Sequence, residues 1–279
     1  MSEATHETTT ETEFEFDLPP FPATAAELVS ALNGADSPVS RIIELIECEP
    51  KIGARVLNMA NSPLYGATRS IATIGHAVVI LGFKSVSNLA LSAAAGETFE
   101  QGDPACAAIR QETYCQSLAI GTLARLIART SGSCNPDECF LTGVMHDIGK
   151  LVLLGTGGTE YASIIGNDEL GDTTRQELQR YGATHPGLGK TCGQRWGLPP
   201  SIIAAISSHH ETIDCVTAPT SVAVVAANYA ARRWQIGFDT ETAVQPITQL
   251  DDYLDSLGDP DLPAKSMEQF DTIREICVA

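Results

Sequence analysis

Positive charge is scarce in this chain. Lys and Arg number 17 against 35 Asp and Glu, a net charge of −18 over 279 residues. So acidic a chain argues against sequence-independent binding along a nucleic-acid backbone and against docking on an anionic membrane. One local basic pocket for a small anion is still compatible with it, because net charge does not describe a single cleft. Long apolar runs are missing as well. The candidate run Ala77–Leu81 falls far short of the ~18 residues of a membrane span. Met1–Asp17 is rich in Thr and Glu and lacks the apolar core of a signal segment. It is expected to be a disordered acidic tail. Strand signals are weak, since no β-branched run alternates with polar residues. The eight cysteines include no C-x-x-C pair and lie scattered in a chain too large to need disulfide staples. They are expected to be reduced core thiols of a cytoplasmic protein.

What is abundant is helix signal, and 43% hydrophobic residues suffice for a sizeable core. Thr24 followed by Glu27 has the form of a capping box. Ser37-Pro38 predicts a cap followed by a first-turn proline, with Val39, Ile42, Ile43 and Ile46 at helical spacing behind it. Glu49-Pro50 opens another helix with Ile52, Val56 and Met59 on one face. Asn135-Pro136-Asp137-Glu138 places acidic residues at the positive end of a helix dipole. That helix is expected to bury Phe140, Leu141, Val144, Ile148, Leu151 and Val152, and to end at Gly155–Gly158. Thr184 caps a helix running to Trp196, and Gly197-Leu198-Pro199 separates it from Ser201–His209. Val216–Trp234, Ile247–Leu257 and Ala264–Val278 also read as helical. The expected fold class is therefore all-α. A composition shift at Gly102-Asp103-Pro104 predicts two helical lobes, residues 18–103 and 104–279, behind the tail at 1–17.

Six histidines are present, and His6 lies in the tail. His76, on a short apolar helix, reads as a core or cap residue. The remaining four carry more information. His146-Asp147 falls in the middle of the apolar helix 143–150, where both side chains are costly unless paired or bound to something. His185 starts a helix, and His209-His210-Glu211 ends another. Imidazoles and a carboxylate brought together from packed helices suit a divalent transition metal. Each motif is weak alone, and together they are stronger.

These residues also carry a resemblance. His146-Asp147-Ile148-Gly149-Lys150 looks like the signature of the HD superfamily of metal-dependent phosphohydrolases. His185-Pro186, Trp196-Gly197-Leu198-Pro199 and His209-His210-Glu211 resemble later segments of its HD-GYP-like branch. In the front half, Leu18-Pro19-Pro20-Phe21-Pro22, Glu49-Pro50, Asn58–Gly66 and Ala77–Gly82 are similar to the HDOD domain, the HD-related output domain of bacterial signalling proteins. The resemblance extends over roughly 18–233.

Departures from the pattern matter for function. Active superfamily members place a histidine before a serine some tens of residues ahead of the HD pair, and here that position is Gln116. Glu112, one turn earlier, can share its helix face. The final aspartate expected after the His-His pair is matched by Asn228, and no G-Y-P triplet follows. In the two-metal chemistry of such sites the HD aspartate bridges the metals and a hydroxide attacks phosphorus. By the resemblance, one metal would have lost two ligands to neutral amides. The other would keep Asp147, His185 and His209 or His210. Two outcomes stay open: one bound divalent metal (iron, manganese or zinc), or a hydrogen-bonded polar cluster without metal. Lys150 would contact phosphate in an active relative and otherwise reads as a solvated helix lysine.

Smaller features have structural readings. Asn58 and Asn61 are expected to fix the loop before Gly66, the alternative being a contact surface or ligand site between lobes. Cys115 reads as a buried thiol rather than a redox or metal group. Arg125, Arg129, Arg232 and Arg233 would pair with acidic neighbours or face a partner. The leading functional expectation is a signalling module with a degenerate HD site that contacts a signalling protein in trans. The alternatives are a metal-dependent phosphohydrolase acting on a nucleotide or cyclic dinucleotide, and a nucleotide sensor that does not hydrolyse.

Overall fold

The computed structural model describes residues 16–33, 38–66, 70–165, 173–238 and 245–278. Most of the expected tail, His6 and the Ser37 of the expected cap lie outside them. Among the described residues there is helix and no strand, as the missing alternation predicts. The first five helices are α1 (Ala23–Leu32), α2 (Val39–Glu47), α3 (Pro50–Ala60), α4 (Ile74–Leu81) and α5 (Phe83–Glu100). A short 3-10 turn leads into the long α6 (Ala107–Ser131), followed by α7 (Pro136–Met145) and α8 (Ile148–Ile165). The rest comprises α9 (Thr173–Tyr181), α10 (His185–Arg195), α11 (Pro200–Ser208), α12 (Pro219–Arg233), α13 (Thr248–Ser256) and α14 (Leu262–Val278).

Helix α6 is the axis of the fold. It packs on α5, α7, α12 and α14, and it is buried along most of its length from Tyr114 to Ala128. The contact with α7 is made where two glycines cross. A Cβ on Gly143 would fall 2.5 Å from the Gly121 Cα, so neither position admits a side chain. A second close crossing joins α8 to α10. A Cβ on Gly149 would lie 2.0 Å from the His185 carbonyl oxygen. These two approaches bring the ends of α7, α8 and α10 within side-chain reach of one another.

The N-terminal helices are tied to this frame by specific contacts. Phe21 stacks on Trp196 with ring centroids 4.5 Å apart, and the Asn33 amide donates to the Gly197 carbonyl at 2.8 Å. Arg125 lies over the Tyr65 ring and donates to Asp137 Oδ1 at 3.1 Å and to the Leu64 carbonyl at 2.7 Å. Tyr65 and Ser85 donate to the same Asp137 carboxylate. Arg125 is thus a buried tie between helices, and Arg129 adds a bond to the Leu64 carbonyl at 3.3 Å. Asn61 fixes its loop as expected, bonding the Leu57 and Ile71 carbonyls and the Ile71 N–H. Asn58 is exposed. His76 is half-buried in the first turn of α4, where its N–H donates to the Thr73 hydroxyl.

Several local expectations are corrected. The capping box does not form: Pro22 precedes α1, and Thr24 lies inside the helix, donating to Glu49 Oε1 at 3.0 Å. Pro38 precedes the first turn of α2 rather than occupying it. The glycines at 155–158 interrupt α8 at Gly158 (φ 53°, ψ −134°), and the helix then resumes to Ile165. The stretch Pro136–Ile165 does reach the length and mean hydropathy (1.2) of a span, yet 89% of that apolar window is buried in the chain. It is the core of a helical bundle by that measure.

Candidate metal centre

Asn135 starts the first element of the site. Its side chain accepts from the Asp137 and Glu138 N–H groups and caps α7. After ten residues the helix lapses at His146-Asp147 and resumes at Ile148. The pair therefore sits at a joint between two helices, which corrects its expected mid-helix position. His146 keeps helical torsions (φ −57°, ψ −34°), and the turn tightens so that the Lys150 N–H reaches the Asp147 carbonyl at 2.8 Å. At this joint the Asp147 side chain is free of the helix wall and meets residues from α10 and α11.

Thr184 caps α10, its hydroxyl accepting from Gly187 N–H, so His185 occupies the first helical position. His209 and His210 follow the last turn of α11. Three Nε2 atoms converge on the Asp147 carboxylate: His146 at 3.2 Å from Oδ2, His185 at 3.3 Å and His209 at 3.5 Å from Oδ1. The Lys150 ammonium donates to Oδ2 at 2.8 Å. His185 Nε2 lies 3.1 Å from His209 Nε2 and 3.0 Å from His210 Nε2. All of these groups are buried except His210, which is half-buried.

The opposite ring nitrogens set the tautomers. His146 Nδ1 is 2.7 Å from the Gly143 carbonyl and His209 Nδ1 is 2.6 Å from the Ile206 carbonyl. A carbonyl only accepts, so both Nδ1 atoms carry hydrogen, and the neutral His209 ring presents its Nε2 lone pair. His185 Nδ1 lies 2.8 Å from both oxygens of Glu177, which also accepts the His185 main-chain N–H at 2.7 Å and the Tyr161 hydroxyl at 2.5 Å. A carboxylate behind an imidazole is the usual outer support of a metal-binding histidine.

This geometry leaves electron pairs facing one another. The Nε2 lone pairs of neutral His185 and His209 meet at 3.1 Å, and the buried Asp147 Oδ1 accepts no hydrogen bond. A proton on His185 or a metal ion at the centre relieves that arrangement. The ligand atoms of His146, Asp147 and His209 lie within 4.8 Å of one another, as do those of His185, His209 and His210. Imidazole nitrogens with one carboxylate fit iron, manganese or zinc. The residues present thus fit such an ion, and all five retained family positions are brought together.

Protonation follows the same burial. Desolvation pushes the His209 imidazolium down to about 3, and burial also drives His210 down, aided by its imidazole neighbours. For His185 burial again opposes charge, but the Asp147 and Glu177 carboxylates on either side of the ring outweigh it and the group moves up. Burial opposes the charged form of Asp147 too. His146 and Lys150 overcome that cost and hold the carboxyl well below its ordinary range.

The remaining expected positions fall outside the cluster. The Gln116 amide donates to Glu112 Oε1 at 3.2 Å, and Glu112 is exposed on α6 and in neither ligand group. The Asn228 amide donates to the His209 carbonyl at 3.4 Å, so it touches the histidine's backbone, and its own buried Oδ1 accepts nothing. Lys150 is 1% exposed and paired with Asp147, which corrects its reading as a solvated lysine. Cys115 is half-buried, and burial raises its thiol. Glu177 and Tyr161 were not anticipated. Glu177 lies in a strongly polar segment with no partner nearby in sequence, and its complete burial was the missing signal.

Comparison with known proteins agrees with this geometry. The HDOD domain family model matches residues 18–212, stopping short of the expected limit at 233. An uncharacterized protein of Treponema pallidum is 23% identical over 197 residues, which is 70% of this chain and 38% of that protein. The chain thus spans well under half the length of that relative. An HDOD domain protein of unknown function from Geobacter sulfurreducens has a crystal structure that superposes with a TM-score of 0.71 at 26% identity, covering 95% of this chain and 93% of its own. Two further structures share the fold. A Shewanella amazonensis protein whose name suggests a phosphohydrolase matches at 22% identity and TM-score 0.67, over 92% and 95% of the two chains. A Marinobacter aquaeolei protein whose name suggests signal transduction matches at 20% and 0.68, over 94% of this chain and 59% of its own. With the histidine–aspartate cluster assembled on this all-helical frame and the family model matched across both halves of it, the chain belongs to the HDOD domain family.

Proposed function

We propose that the chain is a regulatory module of signal transduction in which the HD cluster organises the fold and does not hydrolyse a phosphoester. The observation that carries this reading is the burial of Lys150. The group that would contact phosphate in an active relative is 1% exposed and held inward on Asp147 at 2.8 Å. The amides at Gln116 and Asn228, the degenerate ligand positions, are spent on Glu112 and the His209 carbonyl. His146, Asp147, His185, His209 and His210 would hold a single divalent ion. Such an ion, when bound, supplies Lewis acidity and a strong cross-link between helices. Regulation then proceeds through contacts with a signalling protein in trans.

A phosphohydrolase acting on a nucleotide or cyclic dinucleotide is the second reading. The Glu177 carboxylate behind His185 favours it, because outer support of this kind also tunes catalytic metals. Elemental mass spectrometry on chain purified without chelator or metal-affinity resin, followed by phosphodiester assays with the same protein, separates the two. The expected result is no more than one ion per chain and no turnover. Turnover that disappears in Asp147→Ala, with the helical circular dichroism retained, replaces the regulatory reading with the hydrolytic one.

A further inference from the structure

Cys134 and Cys139 flank the entry into α7, at the opposite end of that helix from His146. Their Sγ atoms are 3.2 Å apart, closer than two sulfurs in van der Waals contact. The intervening Asn135-Pro136 turn folds the residue outside the helix back over one on its first turn. Among the described residues no second pair of cysteine sulfurs makes such a contact. Cys139 is fully buried and Cys134 is half-buried, so one sulfur faces solvent and the other waits beneath it.

Their surroundings differentiate the two thiols. The Cys134 and Cys139 sulfurs share a hydrogen bond, and the Ser133 hydroxyl donates to Cys134 Sγ at 3.7 Å. The first of these bonds does most to lower Cys134, to about 7, against the effect of its burial. The same bond, with burial, drives Cys139 upward. This lowering favours the Cys134 thiolate, the nucleophilic form.

We propose that Cys134 and Cys139 are an oxidative modification site, closed to an intramolecular disulfide by hydroperoxides. The Cys134 thiolate attacks one peroxide oxygen and breaks the O–O bond. It becomes a sulfenic acid, and the departing alkoxide or hydroxide takes up the proton that Cys134 had released. The Cys139 sulfur then displaces the sulfenic oxygen, and its thiol proton leaves with that oxygen as water. Two thiols and one hydroperoxide thus yield one disulfide, one alcohol (or water) and one water. A disulfide of ordinary length requires the sulfurs to approach by only about 1 Å. The bond closes a ring around the turn of α7 whose Asp137 anchors Arg125, Tyr65 and Ser85. This inference does not depend on whether the HD cluster binds metal.

One tryptic peptide, Thr130–Lys150, contains both cysteines and no others. The reduced full-length chain is treated with stoichiometric hydrogen peroxide, alkylated, digested and weighed. The expected product is this peptide without alkyl groups and lighter by two hydrogens, restored to the doubly alkylated form when dithiothreitol precedes alkylation. Cys134→Ser should abolish the product and leave Cys139 alkylated. Two results overturn the inference: a doubly alkylated peptide after peroxide has oxidised Cys48 or Cys215, or a disulfide that joins either residue to another cysteine. Because Cys134 is half-buried, its serine variant is expected to fold, and unchanged circular dichroism checks this.

Discussion

His185 Nδ1 stands 2.8 Å from each carboxylate oxygen of Glu177, while Nε2 of the same ring faces Asp147 Oδ1 at 3.3 Å. One imidazole therefore links two buried carboxylates. The outer carboxylate fixes the ring's rotation and hydrogen placement, and the inner one marks where a cation would sit.

Glu177→Gln tests that link. The variant keeps the shape but loses the charge that orients and strengthens His185 as a ligand. Affinity for manganese or zinc is expected to fall about 10–100-fold, the usual effect of removing an outer partner. Competition with a chelating dye measures it, and equal affinity in the two proteins contradicts the role assigned to Glu177.

Acid should destabilise the metal-free chain in a defined window. His209 titrates at about 3 when folded against an ordinary 6.5, so between those values the unfolded state binds a proton that the folded state refuses. Its stabilisation is present above about pH 6.5 and is lost as pH falls towards 3. His210 acts in the same direction. Asp147, held low, adds a further loss only beneath its ordinary value of ~3.9. His185 has the opposite sign, since its raised value gives stability that is complete below about 6.5 and lost at higher pH. The urea midpoint of chelator-treated protein should therefore drop on going from about pH 6.5 to 5. His209→Gln should flatten that drop, and a slope unchanged in this variant assigns the titration elsewhere.

Gly149→Ala should disturb the site without changing a ligand. The added methyl would meet the His185 carbonyl oxygen at 2.0 Å and the Gly189 nitrogen at 2.8 Å. Both are backbone atoms, so α10 has to move away from α8. The cost expected of such overpacking is about 1–3 kcal/mol, read from urea unfolding. Metal affinity should weaken alongside it because His185 heads the displaced helix. A variant as stable as the parent would show that the crossing tolerates a side chain.

Gln116→His combined with Asn228→Asp restores the ligand types that the family resemblance expects at both positions. The bound metal, counted by elemental mass spectrometry, should rise from at most one ion per chain to two. A count unchanged by the double substitution contradicts the ligand roles that the resemblance implies for positions 116 and 228.

Much of this molecule was legible locally. The Thr184 cap forms as read, the helix expected at Asn135-Pro136 begins there, and Ile52, Val56 and Met59 are all buried, because capping and apolar spacing act within a few residues. Two of the readings that failed did so because a distant partner outcompeted a near one. Thr24 turns from its own helix to Glu49, and Lys150 leaves solvent for Asp147.

The sequence by itself determined the all-helical class and the start of most helices, since these rest on side-chain type and short-range periodicity, and it singled out the five residues that the structure gathers into the histidine–aspartate cluster. Only the tertiary structure decided that His146-Asp147 lies at a helix joint, that Glu177 backs His185 from eight residues away, and that Cys134 meets Cys139. Those relations depend on how closely helices approach, and the close approaches are made at Gly121–Gly143 and Gly149–His185. A glycine in a helical pattern reads locally as a weakness. Its value here is the space it leaves for another backbone, which becomes visible once the helices have packed.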